Sequence, residues 1–168
     1  DERDASIATD SILLHRLVRE VAAGRSGINA QIGRKALIQA TASVYPAGVY
    51  NNPASWPRVR RLDPLAQALL PPEDDLPEGG IAAAALLNGM AAYRQGALAA
   101  YVEARGLFER ALAISEKALG PEHPDVGHVL ALMGEVLKRR GNVDEAEHTL
   151  RRALAIHVKA FGEDAIPV

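Results

Sequence analysis

The sequence predicts an all-α protein in which antiparallel helical hairpins stack into a superhelix, with a small helical region in front of them. Three observations support this prediction. Hydrophobic residues, mostly alanine and leucine, make up 48% of the chain and aromatic residues only 4%, a composition that favours closely packed helices. Apolar residues recur at spacings of three and four over most of the chain. Finally, residues 145–164 nearly repeat residues 103–122, with ten identities in twenty positions.

The duplicated stretch defines a repeating unit of 42 residues. The run Arg-Ala-Leu-Ala-Ile at 110–114 returns at 152–156, and Gly120 returns as Gly162. A fixed period of roughly 20 to 50 residues is typical of stacked repeats, in which each unit buries its apolar face against its neighbours. The pattern therefore predicts a binding surface, although it does not identify what is bound.

Composition excludes several classes of partner and site. The net charge is −2 and is evenly spread along the chain. Residues 1–80 contain nine Lys/Arg and ten Asp/Glu, and residues 81–168 contain ten and eleven. Because no part of the chain is strongly basic, neither a nucleic acid nor an anionic membrane is an expected partner. The absence of cysteine excludes disulfides and thiolate metal sites, and fits a reducing cytoplasm. No signal peptide and no run of about 18 apolar residues is present. Because the chain begins with Asp1 rather than Met, we expect it to be a fragment of a longer protein.

The first 45 residues are predicted to form a tail and two helices. Residues 11–14 are a short apolar run that could form a strand, and a helical pattern continues from His15 until Gly24. A second helix is predicted from about residue 29 to residue 45, where Pro46 forces its end. Its apolar face is predicted to consist of Ile32, Ala36, Leu37, Ala40 and Val44.

The next helix is predicted from Trp56 to about Leu70, with one ambiguity. Pro64 lies inside this segment, so the helix could be split into a short turn and a helix that begins near Asp63. Asp63 would then be the N-cap, with proline at the first helical position. The proline-rich and acidic stretch 71–79 cannot continue a helix. It is the predicted linker between a helical region at 1–70 and repeats at 80–168.

Four helices are predicted in the repeat region, at 81–95, 101–119, 124–140 and 143–161. Gly120 suits the left-handed position after a helix, and Pro124 suits the first turn of the next one. The basic residues 138–140 lie at a helix C-terminus, where the helix dipole favours positive charge. Because Val168 falls about where another repeat would begin, we expect about two repeats and a truncated third.

The repeat carries a motif that is similar to a known family. It reads Tyr101-x-Glu103-Ala104, then Phe108-Glu109-Arg110-Ala111-Leu112-Ala113-Ile114, then Leu119-Gly120-Pro121-Glu122-His123-Pro124-Asp125-Val126. This motif resembles a tetratricopeptide repeat of the 42-residue, kinesin-light-chain-like subclass, whereas the usual repeat has about 34 residues. The first repeat departs from the pattern, since it aligns only if one residue is inserted before Tyr101.

The resemblance implies that the first helix of each hairpin lines a concave surface that binds a peptide or a partner protein. The predicted protein-binding residues lie on these helices, opposite the inward-facing set: Asn88, Ala92 and Gln95 in the first repeat, and His128, Ala131, Glu135 and Lys138 in the second. The open end of the array would also allow the chain to associate with a second copy.

A second resemblance concerns the N-terminal part. The run Leu14-His15-Arg16-Leu17-Val18-Arg19-Glu20-Val21 is similar to the segment that closes the winged-helix region of NB-ARC/STAND-type signalling ATPases, where bacterial members commonly carry Leu-His-Arg-Leu-Val. The resemblance implies that His15 senses the phosphates of ATP or ADP in the full-length parent. Arg16 departs from the acidic residue of the family's Met-His-Asp motif, and the alternative is that His15 simply begins a helix and binds no ligand.

No catalytic or cofactor site is predicted within the chain itself. The glycine-containing runs 24–27 and 33–35 lack the spacing and the Lys-Ser/Thr of a P-loop, so any such loop would lie upstream of Asp1. No Gly-x-Ser-x-Gly elbow occurs, and no two of the five histidines stand four residues apart, as a helical metal site would need. We therefore expect a non-enzymatic interaction fragment of a STAND ATPase, or alternatively a free-standing adaptor with no ATPase.

Overall fold

The computed structural model of the chain describes residues 28–70 and 80–162. These residues form six α-helices and two short 3-10 turns, with no strand among them. The helices are α1 (Ile28–Val44), α2 (Trp56–Leu69), α3 (Ile81–Leu98), α4 (Tyr101–Leu119), α5 (Pro124–Arg139) and α6 (Val143–Phe161). The 3-10 turns are Val49–Asn51 and Pro53–Ser55. The predicted all-α fold of helical hairpins is confirmed, with the helical region 28–70 in front of the hairpins.

The four repeat helices lie where the sequence predicts them. Both bounds of α4 and α6 agree, while α5 ends one residue early, at Arg139, and α3 continues three residues further, to Leu98. The first hairpin carries one extra residue, because its helices begin 20 residues apart and those of the second begin 19 apart. Ala99 closes α3 in the left-handed conformation, with a φ of 51°. The predicted irregularity of the first repeat therefore lies at its hairpin turn.

Small side chains let consecutive helices of the repeats approach closely. Ala104 and Ala111 of α4 and Ala146 and Ala153 of α6 are buried. A Cβ at Gly134 of α5 would lie 2.6 Å from the side chain of Leu150 of α6, which is well inside van der Waals contact. These positions are the small residues expected where paired helices meet in stacked hairpins.

The N-terminal helices share a hydrophobic core with the first hairpin. Leu37 and Ile38 of α1 and Leu69 of α2 belong to the same buried cluster as Leu86 and Met90 of α3. The predicted face of α1 is partly wrong, since Ile32 is 62% exposed while Ile38 is only 3% exposed. The residues of α1 that are buried are those that pack against α3, and the spacing of apolar residues in α1 does not identify them by itself.

The ambiguity at Pro64 is resolved in favour of one continuous helix. α2 runs from Trp56 to Leu69 through Pro64, so the alternative of a helix that begins near Asp63 is wrong. Asp63 lies inside the helix, and its carboxylate binds Arg94 of α3 rather than capping backbone N–H groups.

Three predicted features lie outside the described residues. They are the short strand at 11–14, the helix from His15 to Gly24 and the linker at 71–79. The domain division within 71–79 therefore stays a prediction. None of the described helices is both long and apolar enough to cross a membrane.

Candidate protein-interaction surface

The second repeat presents an open polar ridge on α5. His128 and Lys138 are exposed, and Ala131 and Glu135 are half-buried. Glu135 organises the C-terminal end of this ridge, because one carboxylate oxygen accepts a hydrogen bond of 3.0 Å from Nε of Arg139 and the other lies 3.9 Å from Nζ of Lys138. The four predicted residues of the second repeat thus lie along one accessible helix face.

The first repeat differs, because the N-terminal region covers part of the corresponding face of α3. Asn88 is half-buried, but Ala92 and Gln95 are only 5% and 4% exposed. Val49 packs with Ala92, and a Cβ at Gly96 would lie 2.3 Å from the carbonyl oxygen of Tyr50. The expectation that Ala92 and Gln95 belong to an open surface is therefore wrong. The physical reason is a long-range contact, in which the turn Val49–Asn51 lies directly on α3.

A cleft of about 320 Å³ opens where this turn meets the repeats. It is lined by the turn, by the C-terminal ends of α3 and α5 and by the start of α4, and the lining residues are Tyr50, Asn51, Gln95, Gly96, Tyr101 and Arg139. Sequence reasoning missed this site because its walls are far apart in the chain. Gly96 was the available signal, since the absence of a Cβ lets another segment approach the helix backbone closely.

Arg139 supplies the positive charge of the cleft. Its hydrogen bond to the Glu135 carboxylate raises the pKa of the guanidinium, and the nearby Tyr50 and Tyr101 raise it further. Arg139 is therefore cationic at every ordinary pH. The hydrogen bond to Glu135 uses Nε, so it does not occupy the two Nη groups.

A buried ion pair fixes the N-terminal region to α3. Arg94 donates to both carboxylate oxygens of Asp63, over 2.9 and 3.0 Å, and Gln67 donates to one of them over 2.6 Å. Burial opposes the charged form of Arg94, but the hydrogen bond and charge of Asp63 outweigh it and raise the pKa of the guanidinium. The phenol of Tyr45 lies beside this pair, and its pKa is raised, chiefly by burial and then by the charge of Asp63.

The histidines within the described residues cap a helix, pack against a neighbouring side chain or are exposed to solvent. Nδ1 of His123 accepts a hydrogen bond of 3.2 Å from the backbone N–H of Asp125, so the imidazole caps the N-terminus of α5. His157 packs edge-on to Phe161, and His148 is exposed. Within 28–70 and 80–162, no group of three or more His, Asp or Glu side chains could hold a metal ion. His15 lies outside these ranges.

Stacked antiparallel hairpins with an accessible ridge define a helical-repeat scaffold. The family comparison agrees with this class, since residues 81–157 match the family model described as "Tetratricopeptide repeat". Over these residues, helices α3 to α6 are similar to tetratricopeptide repeats, which agrees with the resemblance that the sequence motif of this region predicts. No curated protein matches the chain.

Proposed function

We propose that the tetratricopeptide hairpins bind a protein or peptide ligand and that the chain is the sensor region of a STAND-type signalling ATPase. The observation that carries the binding proposal is the open ridge on α5, formed by His128, Ala131, Glu135 and Lys138, within a fold whose repeats mediate protein–protein interaction. This family is in general non-catalytic, so the proposed activity is binding rather than turnover.

The ridge has physical properties that suit a peptide. It offers a cation at Lys138, a carboxylate at Glu135 and an imidazole at His128, so it can pair with both donors and acceptors of an extended chain. The opposite face of α5 is tightly packed, with Val126, Val136 and Leu137 fully buried. Since the ridge lies on a regular helix, its backbone would not have to become ordered when a ligand binds.

The proposal of an ATPase parent is supported by the resemblance of the sequence around His15. In this mechanism the repeats restrain the ATPase in the cytoplasm until a ligand docks, and ATP or ADP binds upstream with His15 near its phosphates. The shared core and the Asp63–Arg94 ion pair connect the repeats to the helices in front of them. A shift of α3 would therefore also displace α1 and α2.

A free-standing adaptor is the alternative function for the same fold. The ridge on α5 would serve either protein equally well, so the distinction depends on the gene upstream of Asp1. A P-loop encoded there, followed by a winged-helix region, would favour the ATPase, whereas its absence would leave the adaptor.

The binding proposal can be tested with peptides selected on the full chain from a displayed random library. Calorimetry would then compare the wild type, the triple variant His128→Ala/Glu135→Ala/Lys138→Ala, and the control pair Glu147→Ala/Arg151→Ala on the exposed face of α6. We expect the triple variant to bind about tenfold more weakly or worse, since two charged contacts and one polar contact are lost, while the control is unchanged. Equal affinity of the triple variant would overturn the assignment of the ridge.

A further inference from the structure

The cleft between the turn Val49–Asn51 and the repeats contains a buried amide with no partner. Gln95 lines the cleft and is 4% exposed, yet neither its Nε2 nor its Oε1 makes a hydrogen bond within the described part of the chain. Buried side-chain amides normally pair both groups, because an unpaired one loses its hydration without compensation. Since no bond has to break, Gln95 can rotate its amide toward a ligand on the cleft floor.

The wall that the turn Val49–Asn51 forms is held in place, so only the amide of Gln95 has to rotate when a ligand arrives. Nε1 of Trp56 donates a hydrogen bond of 3.0 Å to the carbonyl oxygen of Val49, and Val49 itself is 1% exposed. The backbone of Tyr50 lies directly on Gly96, at a distance that leaves no room for a Cβ. A preformed site avoids the ordering cost that a mobile loop would add to binding.

The charges of the cleft favour a ligand group with a single negative charge. Arg139 is the cation in the lining, and Glu135 is already bonded to its Nε. A phosphate would bring about two charges close to the Glu135 carboxylate, whereas a carboxylate brings one and matches the fork of the two Nη groups. Tyr50 and Tyr101, which also line the cleft, add phenol hydroxyls and apolar ring surface.

We propose that this cleft is a peptide subsite that takes an acidic residue, with the ligand's side-chain carboxylate on Arg139 and its backbone amide on Gln95. A primary amide offers one donor edge and one acceptor, the pattern that a peptide group complements. The subsite rests on the proposed peptide-binding function and extends it, because Tyr50 and Asn51 come from outside the repeats. It adjoins the α5 ridge through Arg139 and Glu135, so an extended chain can occupy both.

The test uses two probe peptides, N-acetyl-Ala-Glu-Ala-amide and N-acetyl-Ala-Gln-Ala-amide, titrated into the full chain at millimolar concentrations. Nitrogen-15 NMR would follow the side-chain amides of Gln95 and Asn51 and Nε of Arg139. We expect saturable shifts at these groups, with the glutamate probe binding about tenfold more tightly than the glutamine probe. Arg139→Gln should abolish that preference, and the control Arg151→Gln, on the exposed face of α6, should keep it.

A second variant checks the role of Gln95 independently of charge. Gln95→Met keeps the length and flexibility of the side chain and removes an amide that has no partner, so the thermal midpoint should not fall. Binding of both probes should weaken together. Equal binding of the two probes, unchanged binding in Gln95→Met, or an absence of saturable shifts at the cleft would overturn the subsite.

The outcomes also separate this subsite from the wider proposal. Shifts confined to the α5 ridge, with library-selected peptides still dependent on His128 and Lys138, would overturn the subsite and leave the proposed function standing. Saturable shifts at the cleft would support the subsite. If the selected peptides then bind the triple variant as tightly as the wild type, the assignment of the ridge is overturned and the subsite stands.

Discussion

Asp63 and Arg94 form a bidentate ion pair that joins α2 to α3, with both carboxylate oxygens accepting from the guanidinium. The side chains are 13% and 9% exposed, so the pair lies largely out of water. Two charges buried in this way stabilise each other, but each becomes costly when the other is removed. The pair therefore acts as a specific connection between the N-terminal region and the first repeat.

This arrangement predicts strongly unequal effects of single and double substitutions. Arg94→Met leaves the Asp63 carboxylate with Gln67 as its remaining hydrogen-bond donor, and should lower the free energy of unfolding by about 3 kcal/mol. The double variant Asp63→Leu/Arg94→Met should recover most of that loss, because no charge stays buried. Urea unfolding measures both values. Arg60→Gln, at an exposed position of α2, is the control and should change stability little. A single-variant loss below about 1 kcal/mol would contradict the prediction.

Gly96 and Gly106 provide a matched pair of glycine-to-alanine substitutions inside helices. A Cβ at Gly96 would lie 2.3 Å from the backbone oxygen of Tyr50, so Gly96→Ala must push the turn Val49–Asn51 off α3. We expect a loss of about 2 kcal/mol and an altered cleft. A Cβ at Gly106 meets nothing within 4 Å, so Gly106→Ala should stabilise the protein by about 0.5 to 1 kcal/mol through helix propensity alone.

Chemical denaturation of the two variants tests this contrast directly. Tryptophan fluorescence adds a local readout, because Trp56 is hydrogen-bonded to Val49 of the same turn. Its emission should change in Gly96→Ala and stay unchanged in Gly106→Ala. Similar free energies of unfolding for the two variants would show that the turn Val49–Asn51 does not contact Gly96 in solution.

Local signals predict the repeat helices well, because each repeat helix is delimited by its own sequence. The duplication, the glycine stop at Gly120 and the proline start at Pro124 place α4, α5 and α6 to within a residue. These features act within a turn or two of the residues that carry them, so they can be seen without the tertiary structure.

The errors arise where a distant residue overrides a local preference. Asp63 before Pro64 has the local pattern of an N-cap, but Arg94, 31 residues away, binds the carboxylate and the helix continues through it. Helical position predicts that Gln95 lies at the surface, yet it is 4% exposed, and Tyr50, 45 residues upstream, lies on the neighbouring Gly96. A single sequence does not show which distant segment pairs with such a residue, so Gly96 could indicate a close approach but not the cleft itself.

The contact between Gly134 and Leu150 predicts that substitutions at these two positions have non-additive effects on the free energy of unfolding. Gly134→Ala places a Cβ 2.6 Å from two carbons of the Leu150 side chain, which must then move outward. Since Leu150 is 37% exposed, the movement is feasible, and we expect a loss of about 1 to 2 kcal/mol. Leu150→Ala makes room for the new methyl group, so the double variant should be more stable than the sum of the two single losses predicts. A double-mutant cycle by urea unfolding gives the coupling energy, and an additive result would contradict the contact.

Tyr45 predicts a specific loss of stability at alkaline pH. Its ring lies over Gly89, its hydroxyl makes no hydrogen bond within the described residues, and burial raises the pKa of the phenol well above its ordinary value of about 10. The folded state therefore keeps its proton where the unfolded state releases it. The contribution of Tyr45 to stability is fully present below the unfolded pKa and is lost as the pH rises above it, by up to about 1.4 kcal/mol per pH unit.

Tyr45→Phe isolates this effect, because the other tyrosines are common to both proteins. Near pH 7 the variant should be as stable as the wild type or slightly more so, since the hydroxyl that is removed has no partner. Between about pH 9 and pH 11.5 the wild type should lose free energy of unfolding more steeply than the variant. Urea titrations across this range measure the difference, and the tyrosinate absorbance should show one phenol that ionises late only in the wild type. Parallel stability profiles would mean that the Tyr45 hydroxyl is solvated in the folded protein, and the packing of α1 against α3 would then have to be looser than the contact with Gly89 implies.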